Sequence, residues 1–152
     1  MSTETLPVTP RRIKAGDLVE FARMRTRLWS DSTYSDAEAA LQAHLQGDLF
    51  LLVVERPDGA GLCAFVEAAI RPHAEGCVTA PVGYLEGIWV DDDVRREGIA
   101  EALVEGVAEW AKRRGLKELG SDTEVMDDGS RRFHEAIGFE DVGTIVCFRR
   151  TL

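Results

Sequence analysis

Gly83-Tyr84-Leu85-Glu86-Gly87-Ile88-Trp89-Val90, followed by Asp91-Asp92-Asp93-Val94-Arg95-Arg96-Glu97-Gly98-Ile99-Ala100, is the stretch that decides the fold. Its first half reads as a strand and its middle as a polar break. Over residues 98–114, Ile99, Ala100, Leu103, Val104, Val107, Ala108 and Ala111 keep the spacing of an amphipathic helix. Gly115 ends that helix. The turn Arg95-Arg96-Glu97-Gly98 has the makings of an anion site. Glycine lets a backbone approach a bulky anion. The first amides of a helix lack internal partners, and with the helix dipole they suit a pyrophosphate. Arg95 and Arg96 add charge-assisted contacts. The turn alone also fits a plain strand-to-helix connection with solvated arginines. It lacks the Gly-Lys-Ser/Thr of a Walker loop and the three-glycine spacing of a dinucleotide fingerprint.

Working outward, residues 11–14 read as a short strand. Asp17 and Glu20 read as a capping box that opens a first helix. Leu18, Phe21, Ala22, Arg25, Leu28 and Trp29 fall near one face of it. Ser35 and Glu38 repeat the capping pattern for a second helix to about Gln46. Residues 48–55 form a buried strand, Pro57-Asp58-Gly59 a turn, and residues 61–71 the hairpin partner. Residues 72–81 form a loop. Downstream come a short strand at 118–122, a helix at 129–137 and a last strand at 140–150. The expected class is α/β, a mixed sheet of about six strands with about four helices on its two faces.

The 152 residues suffice for one domain, expected over 11–152 behind a flexible lead-in at 1–10. The longest apolar run, Phe50-Leu51-Leu52-Val53-Val54, is far too short to span a membrane. The first twelve residues do not read as a secretory signal, which points to the cytoplasm. Eighteen basic against 27 acidic residues give a net charge of −9. That balance disfavours nucleic acid, and it fits either simple solubility or a polycationic substrate. Cys63, Cys77 and Cys147 are too scattered for a zinc or redox pair, and read as free thiols, buried or on strands. His44, His73 and His134 suggest no metal site.

Arg-x-x-Gly-x-Ala at 95–100, placed after such a strand, resembles the acetyl-CoA signature of the GCN5-related N-acetyltransferases (GNAT). Residues 81–88, 102–105, Glu118-Leu119-Gly120-Ser121-Asp122-Thr123-Glu124 and Phe133-His134-Glu135-Ala136-Ile137-Gly138-Phe139-Glu140 are similar to the aminoglycoside 6′-N-acetyltransferases. The likeness covers nearly all the chain after the first ten residues. It implies a GNAT fold, acetyl-CoA as co-substrate, transfer to the 6′-amine of an aminoglycoside with resistance as the outcome, and a homodimer in the cytoplasm.

The resemblance also implies roles. Backbone of Ile88, Trp89 and Val90 would bind the pantetheine arm, and an amide near Ile88 would polarise the thioester carbonyl. Amides of Arg96, Glu97, Gly98, Ile99, Ala100 and Glu101 would hold the pyrophosphate, beside Arg95. Asp127 would stand where relatives use an asparagine for the cofactor. An alkylammonium with a pKa near 10 must lose its proton before it attacks, and a cleft carboxylate can take it. Glu86, with Tyr84, Ile88 and Val90 on its face by period two, is the expected base; the alternative is a salt-bridged strand glutamate, for example to an arginine of the first helix. Asp122 reads as a sugar-binding aspartate or a turn cap, and Trp29 as a substrate contact or core. His73 stands where several relatives have tyrosine, Gly143 replaces an acidic contact near Asp141, and Cys147 replaces a tyrosine. No general acid is evident, and no serine or cysteine has a recognisable base partner, so direct transfer is expected. Acetylation of another amine (a polyamine, amino acid or protein N-terminus) and a non-catalytic acyl-CoA-binding module are the alternatives.

Overall fold

The computed structural model describes residues 8–152. The elements are β1 (Arg11–Arg12), α1 (Leu18–Leu28), α2 (Tyr34–Leu45), β2 (Phe50–Glu55), β3 (Leu62–Arg71), β4 (Val82–Val90), α3 (Ile99–Arg113), β5 (Leu119–Ser121) and α4 (Asp128–Ala136). The sheet runs β1-β2-β3-β4-β5, antiparallel except for the parallel pair β4–β5. The α/β class holds, with five strands among the described residues where about six were expected. The expected lead-in falls, through residue 7, outside the described residues; Val8 packs against the core.

β2 explains the two-layer build. Phe50, Leu52 and Val54 face a core shared with Leu103, Val104 and Val107 of α3. Leu51 and Val53 face the opposite core, with Phe21 and Met24 of α1 and Leu41 of α2. A strand covered on both faces has no polar side to show, which is why it reads as an unbroken apolar run.

Four local expectations need correction. The box opening α2 is Thr33 with Asp36: Thr33 Oγ1 accepts from the Asp36 amide at 3.1 Å and Asp36 Oδ2 accepts from the Thr33 amide at 2.8 Å. Ser35 and Glu38 lie two residues too late. At α1, Asp17 turns back to accept from the Lys14 amide and from Arg11, both at 2.8 Å. Glu20 instead pairs with Arg23 and accepts from the Leu62 amide at 3.1 Å, tying the helix to β3. Residues 140–150 form no strand. No strand in the described chain pairs with them, and Val142, Ile145, Val146 and Phe148 stand exposed. The cysteines are free, but only Cys63 is buried; Cys147 is exposed and on no strand.

Candidate active site

β4 organises the site because its two halves have different neighbours. On one side it pairs with β5 only from Gly83 to Leu85. Past Leu85 that backbone edge is free, and an open cleft of about 560 Å³ runs along it. Ile88, Trp89 and Val90 form its wall, the turn to α3 closes one end, and Asp127, Ser130 and Phe133 come from the α4 side.

The turn has the geometry that an anion needs. Gly98 precedes α3 with φ 78°, and Arg96 also has a positive φ, 66°. These left-handed residues swing the chain so that α3 starts facing the cleft. Among the described residues Arg96 makes no hydrogen bond or ion pair, whereas Arg95 donates to the Val90 carbonyl at 3.0 Å and pairs with Asp92. Arg95, Arg96, Gly98, Ile99, Ala100 and Glu101 all line the cleft, and Glu97 does not. Asp127 lines it while its Oδ1 caps α4 through the Ser130 amide at 2.9 Å. Leu28, Val94, Ser130 and Phe133 complete the lining and were not singled out from sequence.

Behind the turn, buried Asp91 fixes the end of β4. It accepts from Trp89 Nε1 at 2.9 Å, from Arg23 at 2.9 Å and from Arg56 at 2.8 Å. Burial pushes this carboxyl upward, but Arg23, Trp89 and Arg56 together hold it below the usual range.

On the other face of β4 lies a cluster of charged and aromatic groups. Gly87 stands opposite Glu67 and Leu85 opposite Ala68, so Glu86 is the unpaired residue of a bulge. A bulge resets the alternation of side chains. This corrects the period-two grouping: Ile88 and Val90 pack toward α3, whereas Tyr84 and Glu86 both meet Arg71. Glu86 is ion-paired, but with Arg71 of β3, at 2.9 and 2.7 Å, and not with α1. The carboxylate of this cluster that takes an α1 arginine is Glu67, 6% exposed, held by Arg25 at 3.3 and 3.4 Å. Burial pushes the Glu67 carboxyl up, Arg25 pulls against that, and Glu86 adds to the rise.

Trp29 lies over β4 beside this cluster. A methyl group at Gly87 would stand 2.4 Å from the indole, so only glycine admits it there. Arg25 covers the indole at 4.6 Å, and Phe65 stands 6.3 Å away. Asp122, exposed just past β5, accepts from the buried Tyr84 hydroxyl. Burial and this bond to a carboxylate both push the Tyr84 phenol upward. His73 is exposed on the loop 72–81, which Glu118 staples by accepting from the Val78 amide at 2.8 Å and the Thr79 amide at 2.6 Å. Glu86, Trp29 and Asp122 therefore gather at β4, and His73 stands on the adjoining loop.

Sequence reading missed a serine with a base partner. Ser121 Oγ lies 2.8 Å from His134 Nε2, and His134 Nδ1 lies 2.7 Å from the Ser130 carbonyl. The carbonyl can only accept, so Nδ1 carries the proton and Nε2 accepts from Ser121. The partners are 13 residues apart, and no local pattern marks them.

Comparison with known proteins follows the same outline. Residues 18–139 match the acetyltransferase (GNAT) family. An aminoglycoside N(6′)-acetyltransferase type 1 from Klebsiella aerogenes is 36% identical over 146 residues, 93% of this chain and 95% of the relative. The crystal structure of the aminoglycoside 6′-N-acetyltransferase AAC(6′)-Ih from Acinetobacter baumannii superposes with a TM-score of 0.88 at 30% identity, covering 96% of this chain and 99% of that one. AAC(6′)-Iy, in complex with the bisubstrate analogue CoA-S-monomethyl-acetylneamine, superposes with a TM-score of 0.86 at 28% identity, covering 96% and 99%.

Proposed function

The chain belongs to the acetyltransferase (GNAT) family, and on that premise we propose that it transfers the acetyl group of acetyl-CoA to the 6′-amine of an aminoglycoside. The observation that carries this reading is the division of β4, with a cleft along its free edge that the α3 turn closes and a carboxylate, Glu86, on a bulge in the cluster that holds Tyr84, Trp29 and Asp122. The named activities of the relatives, and a neighbour whose bound analogue joins CoA to neamine, support it.

Acetyl-CoA supplies, when bound, a thioester carbonyl open to attack. The chain does the rest. The unpaired edge of β4 at Ile88 to Val90 offers amides and carbonyls to the pantetheine arm in the manner of an added strand. The first amides of α3 and Arg96, which has no side-chain partner among the described residues, hold the pyrophosphate. Glu86 takes the proton of the substrate ammonium, directly or through one water; the amine nitrogen then bonds to the acetyl carbon as the C–S bond breaks, and the released CoA thiolate takes a proton from solvent. Trp29, His73 and Asp122 receive the sugar rings, and the net charge of −9 suits a polycation. We place the reaction in the cytoplasm, where acetyl-CoA is available.

Incubation with acetyl-CoA and neamine, with the product located by NMR, tests the reading: the acetyl group is expected on the 6′-nitrogen. Acetyl on another nitrogen, or turnover only with a polyamine, would contradict it. The Ser121–His134 pair favours a second mechanism, a double displacement through acetyl-serine. Direct transfer requires that Ser121→Ala keep most of its turnover, whereas the covalent route requires its loss. Assembly belongs to the same proposal. A strand-length segment with exposed Val142, Ile145 and Phe148, in a sheet that ends at β5, suits exchange with a second copy. Truncation after Glu140 should then turn a dimer into a monomer by sedimentation.

A further inference from the structure

Two side chains on the acceptor face have no part in the reading above, Arg71 and Tyr84. Arg71 ends β3, and its Nε and one terminal nitrogen reach the two oxygens of Glu86 at 2.9 and 2.7 Å. This is the parallel fork that guanidinium and carboxylate planes allow and that an ammonium cannot copy. The guanidinium carbon stands 3.5 Å from the centre of the Tyr84 ring. The Tyr84 hydroxyl in turn donates to Asp122. Glu86, Arg71, Tyr84 and Asp122 thus form one unbroken stack from the bulge of β4 to the end of β5.

A two-point fork fixes the plane of a carboxylate as well as its charge. Each carboxylate oxygen keeps a second lone-pair direction, so Glu86 can stay anchored and still accept a proton from an amine. We infer that Arg71 is the positioning residue for Glu86 and Tyr84 the positioning residue for Asp122, so that one shared stack sets both the proton-accepting and the sugar-binding carboxylate. The inference rests on the proposed amine acetylation with Glu86 as base.

The stack also sets the local charge. Around Glu86 stand Arg71 and Glu67 on β3, Tyr84 on β4 and Asp122 beyond β5, with Glu67 answered by Arg25 of α1. The face stays acidic enough to draw a polycation. The guanidinium beside Glu86 nonetheless disfavours a second cation at the same point, which biases the bound amine toward its neutral, nucleophilic form.

The test compares Arg71→Met, Arg71→Lys and Tyr84→Phe with the unaltered chain and with Glu86→Gln. Steady-state kinetics are run with acetyl-CoA and neamine, and acetyl-CoA affinity reports on folding. For Arg71→Met, kcat is expected to fall about 10–100-fold, part of what a misplaced general base forfeits, with little change in KM for neamine. Arg71→Lys, which keeps the charge but not the fork, should restore only part of kcat. Tyr84→Phe should raise KM for neamine about tenfold, the cost of one lost hydrogen bond to a charged group, and leave kcat nearly intact. An Arg71→Met enzyme with unchanged kcat overturns the inference, as does a Tyr84→Phe enzyme that loses kcat at constant KM, or loss of acetyl-CoA binding by these variants. In those cases an inactive Glu86→Gln leaves the acetylation reading standing. A fully active Glu86→Gln removes Glu86 as the base, and with it the inference, while acetylation itself stands.

Discussion

The two halves of β4 are built by different means. Toward α3 the site is built mostly of backbone: a strand edge without a partner, the Gly98 turn and the first amides of a helix. Toward β5 it is built of side chains, with Glu86, Arg71, Tyr84, Asp122 and Trp29 brought together from four elements and their margins. A backbone site binds whatever shares the cofactor's shape and charge. A side-chain site depends on which residues are brought together.

Substitutions that strike one half should spare the other. Glu86→Gln should have the largest effect, lowering kcat about 10²–10⁴-fold as expected for loss of a general base, while the Kd for acetyl-CoA measured by calorimetry holds. A fall in both would mean that the halves are not separate. Gly98→Val is the converse. The position has open space around it but φ 78°, and holding a β-branched residue there costs about 1–2 kcal/mol. Acetyl-CoA binding should weaken about tenfold or more, and binding of an aminoglycoside alone should not change.

Gly87→Ala sharpens the acceptor half. The added methyl meets the Trp29 indole at 2.4 Å and the Leu28 side chain at 2.9 Å, so both must move. The KM for the aminoglycoside should rise roughly three- to tenfold, a loss of about 1 kcal/mol of binding. Tryptophan fluorescence should report the displaced indole. An unchanged KM would place Trp29 in the core alone.

The smallest effect concerns the shared scaffold. His44 accepts from the Leu51 amide at 3.0 Å, and burial, with Arg12 nearby, lowers its pKa. A depressed histidine contributes stability that is present above its unfolded value, about 6.5, and lost as pH falls through the folded one. Asp17, held down by Arg11, and Asp91, held down against burial by Arg23, Trp89 and Arg56, act in the same sense at lower pH. Their share is present above the unfolded value near 4 and lost below it. Buried Glu67, with its pKa raised, works in the opposite direction there. Tm should therefore decline in two steps on acidification, and His44→Gln should flatten the first. A single step near pH 4 in the unaltered chain would discount the histidine.

Legibility in the sequence divides along the same line. The periodicity of α3 and the Gly98 turn are local, so the elements around the cofactor half could be read to within a residue or two. The class of fold followed from them. The bulge at Glu86 leaves no trace in residue types, and it inverted the grouping of Ile88 and Val90. The partner of Glu86 lies 15 residues upstream across a hairpin, and the Ser121–His134 pair spans 13. Neither spacing is a pattern. At the helix starts, Thr33, Ser35, Asp36 and Glu38 all suit a cap, and only the geometry of the chain chooses among them. Residues 140–150 have the composition of a strand, but a strand also needs a partner, and among the described residues none of the sheet's edges pairs with them.

The most direct test of acetyl transfer to a 6′-amine is the rate of thiol release from acetyl-CoA with neamine, set beside the same rate with its 6′-hydroxyl counterpart. Rapid release with the amine and background release with the alcohol is the expected result. Equal rates with both, or release with neither, would contradict the assignment of the 6′-nitrogen as acceptor.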